Sequence, residues 1–115
     1  MGTNMIDPKR MERIWKACPE LRPEQMEWWK DDACWFANGQ PDGITPMIAA
    51  ALIRDKCVWW LVFAKWARLR PLADGIEIWW DSSNADGFEV LARHADPTEA
   101  CLLAVERVLG LEPWV

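Results

Sequence analysis

One histidine and two neighbouring serines are the side chains of this sequence best suited to nucleophilic catalysis. Such catalysis needs a Ser or Cys beside a base that removes its proton. His94 can be considered as the base, and Ser82, Ser83 or a cysteine as the nucleophile. The serines lie in a turn with acidic neighbours and lack the glycines of a nucleophile elbow or an oxyanion loop. We therefore expect His94 to be a surface or capping residue, and the chain not to be an enzyme.

The same turn, residues 81–87, contains the residues that come closest to a metal site. Asp81, Asn84 and Asp86 can hold a calcium ion loosely. Their spacing is not that of an EF-hand loop, and Asp and Asn are residue types that turns use for their own hydrogen bonds. A glycine-rich phosphate loop is also absent from the sequence. We predict no metal and no cofactor.

Trp79 is the most informative candidate for a binding residue. Residues 75–81 alternate as a strand, with Ile76, Ile78 and Trp80 on one face and Glu77 and Trp79 on the other. If residues 88–93 fold back about Asn84, the predicted cross-strand pairs are Trp80 with Phe88, Ile78 with Val90, Ile76 with Ala92, and Trp79 with Glu89.

Two readings of Trp79 stay open. A helix can cover the indole and leave the carboxylates at the rim, or the indole can be exposed and ringed by acid. The second arrangement suits a cationic ligand or an arginine-bearing partner. The candidate ligand- or partner-binding residues are then Trp79, Glu77, Glu89, Arg93, Asp81 and Asp86.

The charges of the chain are divided by region. The formal net charge is −5, which disfavours non-specific binding to nucleic acid. Residues 54–73 contain five basic side chains against one acidic, whereas residues 74–99 contain seven acidic side chains against Arg93. Two ordinary solvated surfaces explain this division, and so does an acidic face that docks on a basic partner.

Length and composition indicate one compact domain over residues 1–115. Hydrophobic residues make up 51% and charged residues 27% of the chain, which excludes a disordered protein. Apolar runs are too short to cross a bilayer, and residues 1–5 do not begin a signal peptide, so we expect a cytoplasmic protein. Ten Trp accompany no Tyr, and we expect one or two indoles to reach the surface. Four widely spaced cysteines are predicted to be free thiols among apolar neighbours, namely Cys18, Cys34, Cys57 and Cys101.

The longest apolar run, residues 57–64, predicts the central element of the fold. It is rich in β-branched and aromatic residues and does not alternate with polar ones. A strand of this kind needs cover on both faces. We therefore predict a central strand in which Trp59 and Trp60 point to opposite faces of the core. The polar stretch 65–74 is predicted to be a surface connection.

Capping residues followed by proline mark three helix starts. Asp7-Pro8 opens a helix with a buried stripe, and Thr45-Pro46 opens an alanine-rich helix over residues 47–56. Asp96-Pro97 opens the last helix, which Gly110 closes. A further helix is predicted from Arg22-Pro23, with Met26, Trp29 and Ala33 on one face. Whether it continues through residues 33–37 or gives way to a strand is open.

These elements predict an α+β fold in the order α-α-(β)-α-β-β-β-α. A three-stranded antiparallel sheet, or a four-stranded one if residues 33–37 form a strand, is covered by helices in a layered sandwich.

Two segments resemble the small phage-encoded proteins called phage ABA sandwich domains. They are Thr45-Pro46-Met47-Ile48-Ala49-Ala50-Ala51 and Ala95-Asp96-Pro97-Thr98-Glu99-Ala100-Cys101-Leu102-Leu103-Ala104. The resemblance covers roughly residues 45–110 and consists of helix ends and apolar spacing. It implies a bacteriophage or prophage accessory protein, without catalytic residues to carry over.

We therefore expect a non-enzymatic binding protein of a mobile element that engages a host protein through its acidic, Trp-bearing strands. The alternatives are a protein with a Trp-lined pocket for a cationic or aromatic small molecule, and a homodimer or other homo-oligomer. Nucleic-acid binding through the basic segment is the weakest alternative, and it would use Arg54, Lys56, Lys65, Arg68 and Arg70.

Overall fold

The computed structural model describes residues 6–23, 26–29, 34–36, 43–81, 88–112 and 114. The chain divides into two compact units, residues 1–56 and 57–115. The described part of the chain contains helices and two antiparallel sheets, one of two strands and one of three. The predicted α+β class and the helix-covered antiparallel sheet are therefore confirmed. Whether residues 1–115 form one domain stays a prediction.

The first unit begins with helix α1, Pro8–Ala17, as its capping signal predicts. The Asp7 carboxylate accepts a hydrogen bond from the Lys9 amide at 2.9 Å, and proline occupies the first turn. Met11 and Ile14 are buried, because they recur at helical spacing on one face. A short 3₁₀ turn, Pro19–Leu21, follows the helix.

A two-stranded hairpin replaces the second predicted helix of this unit. Strand β1, Glu27–Trp29, pairs antiparallel with β2, Cys34–Phe36. The prediction of a helix from Arg22 was wrong, because cross-strand aromatic pairs outweigh the helical spacing of Met26 and Trp29. Residues 34–36 are therefore a strand, which answers the open question there, while Ala33 lies outside the described residues.

Helix α2, Pro46–Trp59, starts where the Thr45-Pro46 signal predicts. The Thr45 hydroxyl accepts a hydrogen bond from the Ile48 amide at 3.2 Å. The helix does not stop at residue 56 but runs through the predicted central strand, and residues Trp60–Ala64 continue it as a π-helical segment. The amide of Lys65 donates to the carbonyl of Trp60 at 3.2 Å, five residues back.

The prediction of a central strand over residues 57–64 was therefore wrong. Cys57, Trp60 and Leu61 are buried, whereas Trp59 and Phe63 are exposed by 47% and 71%. Burial at positions i, i+3 and i+4 is the pattern of a helix face. A short unbroken apolar run does not distinguish a strand from a helix, and here the preceding helix extends into it. Trp60 is core as predicted, and Trp59 is not.

The second unit contains a three-stranded antiparallel meander in the order β3-β4-β5. Its strands are β3, Ala67–Leu72, β4, Gly75–Asp81, and β5, Phe88–His94. Strand β3 occupies the segment predicted as a surface connection, so that prediction was wrong. Arg68, Arg70 and Pro71 gave this segment the composition of a loop. They are nevertheless compatible with an edge strand, because its outer side needs no ladder hydrogen bond and so accepts a proline.

A β-bulge changes the register that the hairpin pattern predicts. Ile78 pairs with Ala92, but Trp79 pairs with Val90, so Leu91 is the extra residue on β5. Leu91 and Ala92 are both buried, which is the effect of a bulge that turns two successive side chains to one face. All four predicted cross-strand pairs were wrong, because the observed partners are Glu89 for Trp80, Val90 for Trp79, Ala92 for Ile78 and His94 for Ile76. The two strands already pair one residue further along β5 than folding about Asn84 predicts, and the bulge adds one more residue from Ile78 onward.

Helix α3, Pro97–Val108, packs against β4 and β5. Asp96 caps it by accepting from the Thr98 amide at 2.9 Å, and Gly110 ends it with a φ of 74°. Both signals were predicted. Among the described residues, we find no helix with the length and apolar character needed to span a bilayer.

Candidate functional site

The three-stranded sheet has one face that α3 covers and one that it leaves to solvent. Ile78, Ala92 and Leu91 are buried, and Arg107 of α3 binds the carboxylate of Glu89 and the carbonyl of Val90. The register places Glu89 opposite Trp80, on the same face as Ile78. Helix α3 therefore lies on this inner face of the sheet.

On the opposite, outer face, two cross-strand rows have described side chains, whereas the pair of Asp81 and Phe88 continues this face with side chains outside the described residues. In the first row Arg68, Trp79 and Val90 are neighbours, and in the second row Arg70, Glu77 and Arg93 are neighbours. We define these six residues as the outer sheet face. Its three arginines are exposed, while Trp79 and Glu77 between them are half-buried. The outer sheet face therefore carries three positive charges and one negative charge.

Trp79 is half-buried on the outer sheet face. Its indole N–H donates to the Glu77 carboxylate at 2.6 Å, which holds the ring on the outer sheet face. Of the predicted candidates, the structure brings together Trp79, Glu77 and Arg93. Glu89 lies on the inner face, where it pairs with Trp80 and binds Arg107. The side chain of Asp81 and all of Asp86 lie outside the described residues.

A second group of aromatic side chains lies just before β3, and sequence reasoning missed it. Phe63 in the π-helical segment is 71% exposed, and Trp66 is 78% exposed. Trp66 has a φ of 60°, in the left-handed region that bulky residues avoid. The sequence signal was the surplus of Trp, which predicted surface indoles without saying which ones.

A cleft of about 500 Å³ separates the π-helical segment from the first residues of β3. Phe63, Lys65, Trp66 and Arg68 line it, and we call these four residues the aromatic edge. The Lys65 ammonium lies 5.3 Å from the ring centroid of Trp60, a cation–π distance that positions the charge beside the cleft. Arg68 belongs to both the aromatic edge and the outer sheet face, so the two are continuous.

Trp66 combines high exposure with a backbone conformation that is rare for a bulky residue. Strain of this kind persists only where the neighbouring structure dictates the conformation, and it concentrates at binding and active sites. The π-helical segment before Trp66 is also a rare geometry that recurs at functional sites. Two uncommon backbone features therefore coincide at the most exposed aromatic residues of the second unit.

Of the groups considered for catalysis, the structure describes His94 and not the two serines. His94 is exposed, and its Nδ1 accepts a hydrogen bond from the Asp96 amide at 2.9 Å, in the turn that leads into α3. Ser82, Ser83, Asn84 and Asp86 lie outside the described residues. Within the described ranges, no cluster of three or more His, Cys, Asp or Glu side chains could hold a metal ion.

The four cysteines are free thiols, as the sequence predicts. Cys57 and Cys101 are fully buried, and Cys34 is half-buried. Burial raises the pKa of the Cys18 thiol, and the nearby carboxylate of Glu20, 3.6 Å from the sulfur, raises it further. A thiol with a raised pKa is a weak nucleophile at neutral pH.

Comparisons with known proteins leave the geometry as the basis for a function. No family model, no curated protein and no solved structure matches this chain. The resemblance of residues 45–110 to phage ABA sandwich domains therefore stays a prediction.

Proposed function

We propose that this chain is a non-enzymatic protein-binding module that engages an acidic, apolar-bearing segment of a partner protein. The binding surface is the aromatic edge together with the outer sheet face. The observation that carries the proposal is the 78% exposure of Trp66 at a strained backbone position. A bulky indole held in solvent at a conformational cost is favourable once a partner covers it.

Charge selects the kind of partner. Lys65, Arg68, Arg70 and Arg93 lie beside the aromatic side chains, and Glu77 is the acidic residue among the described side chains of this surface. Carboxylates of the partner would form bidentate hydrogen bonds with the arginine guanidinium groups at the rim of the surface. Apolar side chains of the partner would cover Phe63 and Trp66. This reverses the polarity expected from the sequence, where an acidic face was to dock on a basic partner.

Only the resemblance of residues 45–110 to phage ABA sandwich domains indicates the origin of the partner. If the chain is a bacteriophage or prophage accessory protein, the partner is a host protein. Overall acidity supports a protein partner over nucleic acid, because the net charge of −5 repels a polyanion at long range, while a short acidic segment needs only the local charge.

Two synthetic peptides of equal length test the proposal. One alternates Glu with Leu and Phe, and the other has Lys in place of every Glu. We expect the acidic peptide to shift the indole N–H NMR signals of Trp66 and Trp79, and the shifts to diminish as salt is added. Equal shifts with both peptides, or none with the acidic one, would contradict the proposal.

Charge reversal supplies the matched control. Arg68→Glu, at the junction of the two surfaces, is expected to abolish binding of the acidic peptide. Lys16→Glu makes the same change in net charge on the exposed side of α1, in the other unit, and is expected to leave binding intact. If both variants weaken binding equally, the effect is one of net charge and the proposed surface is wrong.

Self-association is the competing reading of the same surface. Val90 and the edge strand β3 adjoin the arginines, and an edge strand can pair with a second copy. Light scattering over a range of concentrations distinguishes the two. A dimer that Trp66→Ser converts to a monomer would assign the surface to a second copy and overturn the proposal of a different partner.

A further inference from the structure

Three tryptophans form an open aromatic box in the first unit. Trp35 of β2 is its floor, because only 2% of the side chain is exposed. Trp15 of α1 meets Trp35 edge-to-face, with ring centroids 5.8 Å apart and planes at 71°. Trp28 of β1 does the same at 5.3 Å and 69°. Trp15 and Trp28 thus stand at a steep angle to the same floor.

The box opens into a cleft of about 780 Å³, large enough for a small organic molecule. Trp15 and Trp28 are half-buried and line the cleft together with Trp35. The buried indole N–H of Trp15 has no acceptor within the described part of the chain, so packing rather than hydrogen bonding positions this ring. Indole faces are therefore the main recognition surface inside the cleft.

The chain already places one of its own cations on this box. The Arg22 guanidinium carbon lies 5.8 Å from the ring centroid of Trp15. Its Nε donates to the Met26 carbonyl at 2.6 Å, which anchors the side chain. The negative face of an indole attracts cations, and Trp is the strongest aromatic residue in this role. A ligand cation would meet the same kind of face on Trp28.

The charges at the rim decide which cations gain from binding. The ionisable lining residues balance in sign, and they are Asp7, Glu12, Glu27, Lys9, Lys16 and Arg22. A small inorganic cation holds its water strongly and finds no net negative field to replace that water. A weakly hydrated organic cation gives up its water more easily and gains from the indole faces.

We propose that the cleft bounded by Trp15, Trp28 and Trp35 binds an organic cation of the quaternary-ammonium class. Glu27 also lines the cleft, and its carboxylate accepts the indole N–H of Trp29 at 2.7 Å. The site is independent of the proposed protein-binding surface, because all its residues belong to the first unit and that surface belongs to the second.

Choline and its neutral isostere 3,3-dimethylbutan-1-ol test the proposal on the unaltered protein. The two molecules have the same shape and differ in charge. We expect choline to shift the indole N–H signals of Trp15 and Trp28 saturably, and at least about fivefold more tightly than the alcohol. Potassium chloride at the same concentration controls for ionic strength.

Variants locate the site. Trp28→Leu keeps an apolar side chain without a π-face and is expected to remove the preference for choline, while Trp28→Phe restores part of it. Trp66→Leu removes an exposed indole of the second unit that is not part of the cleft lining, so it is the matched control and is expected to bind choline normally. Circular dichroism confirms that each variant is folded.

Three results would overturn the inference. Equal binding of choline and the alcohol would make the cleft a plain apolar pocket. Equal shifts with choline and potassium would make the response one of ionic strength. If neither indole signal shifts at tens of millimolar choline, the cleft does not bind quaternary-ammonium ligands.

Discussion

Replacing Trp66 by alanine and by glycine separates the backbone strain at this position from the loss of the indole. Both variants remove the same exposed aromatic ring, so their difference in stability reports the backbone alone. At an ordinary extended or helical position glycine is less stable than alanine by about 0.5–1 kcal/mol, because glycine has more freedom in the unfolded chain. At a φ of 60° the Cβ of alanine is strained and glycine is not.

The structure gives the expected magnitude. The left-handed conformation costs an L-residue about 1–2 kcal/mol, against which the entropic cost of glycine is about 0.5–1 kcal/mol. We therefore expect Trp66→Gly to be more stable than Trp66→Ala by roughly 0.5–1 kcal/mol, or about 2–4 °C in Tm for a chain of this size. Urea unfolding followed by far-UV circular dichroism measures the difference without relying on Trp fluorescence.

The same pair of substitutions at Arg70 is the control. Arg70 is an exposed residue of β3 without a positive φ, so glycine is expected to be the less stable variant there. If Trp66→Gly is also less stable than Trp66→Ala, the left-handed backbone at Trp66 carries no strain, and the argument that binding justifies its cost fails. Both Trp66 variants should lose the acidic peptide, since neither has the indole.

Three further outcomes follow from local geometry. Gly75→Ala should destabilise the second unit by several kcal/mol in urea, because a Cβ there would overlap the backbone carbonyl of His94; a loss below about 1 kcal/mol would contradict this. Cys34 should react with iodoacetamide before Cys18 does at pH 8, as followed by mass spectrometry, because it is less buried and the pKa of Cys18 is raised. Glu20→Gln should move the pH profile of Cys18 alkylation to lower pH, since removing a negative charge favours the thiolate; an unchanged profile would leave burial as the only cause.

Helix ends were predictable from sequence, because their signals are local. Asp7, Thr45 and Asp96 each cap the helix that follows, and each is paired with a proline whose missing N–H is not needed at that position. The class of fold followed from these ends and from the strong turn after Asp81. No distant contact is needed to recognise such features.

Elements that depend on tertiary context were the ones predicted wrongly. The run 57–64 has strand-like composition, and only its continuation from α2 and the burial of Cys57, Trp60 and Leu61 make it helical. The strand at residues 67–72 contains charged residues and a proline. These residue types suit an edge strand of a sheet, but in sequence they are also typical of a loop.

The candidate site was only half predictable. Trp79 and Glu77 were found because strand alternation places them on one face, and Arg93 because it lies on the neighbouring strand. Their environment was not, since the observed register places Val90 rather than Glu89 opposite Trp79 on β5, with Arg68 opposite it on β3. Trp66 gives no sequence signal, because a left-handed φ at a tryptophan arises from the elements on either side of it.

The π-helical turn before β3 makes the chain sensitive to length at one place. One residue more or fewer between Trp60 and Ala64 would change the π-helical geometry of this segment and the direction in which the chain leaves the helix. Loss of a single codon there would turn Phe63 and Trp66 out of their present direction while leaving composition and charge almost unchanged. In this segment, an insertion or deletion alters the direction of the aromatic side chains more than most substitutions do. Related chains with a different length here would keep the fold but lose the aromatic edge.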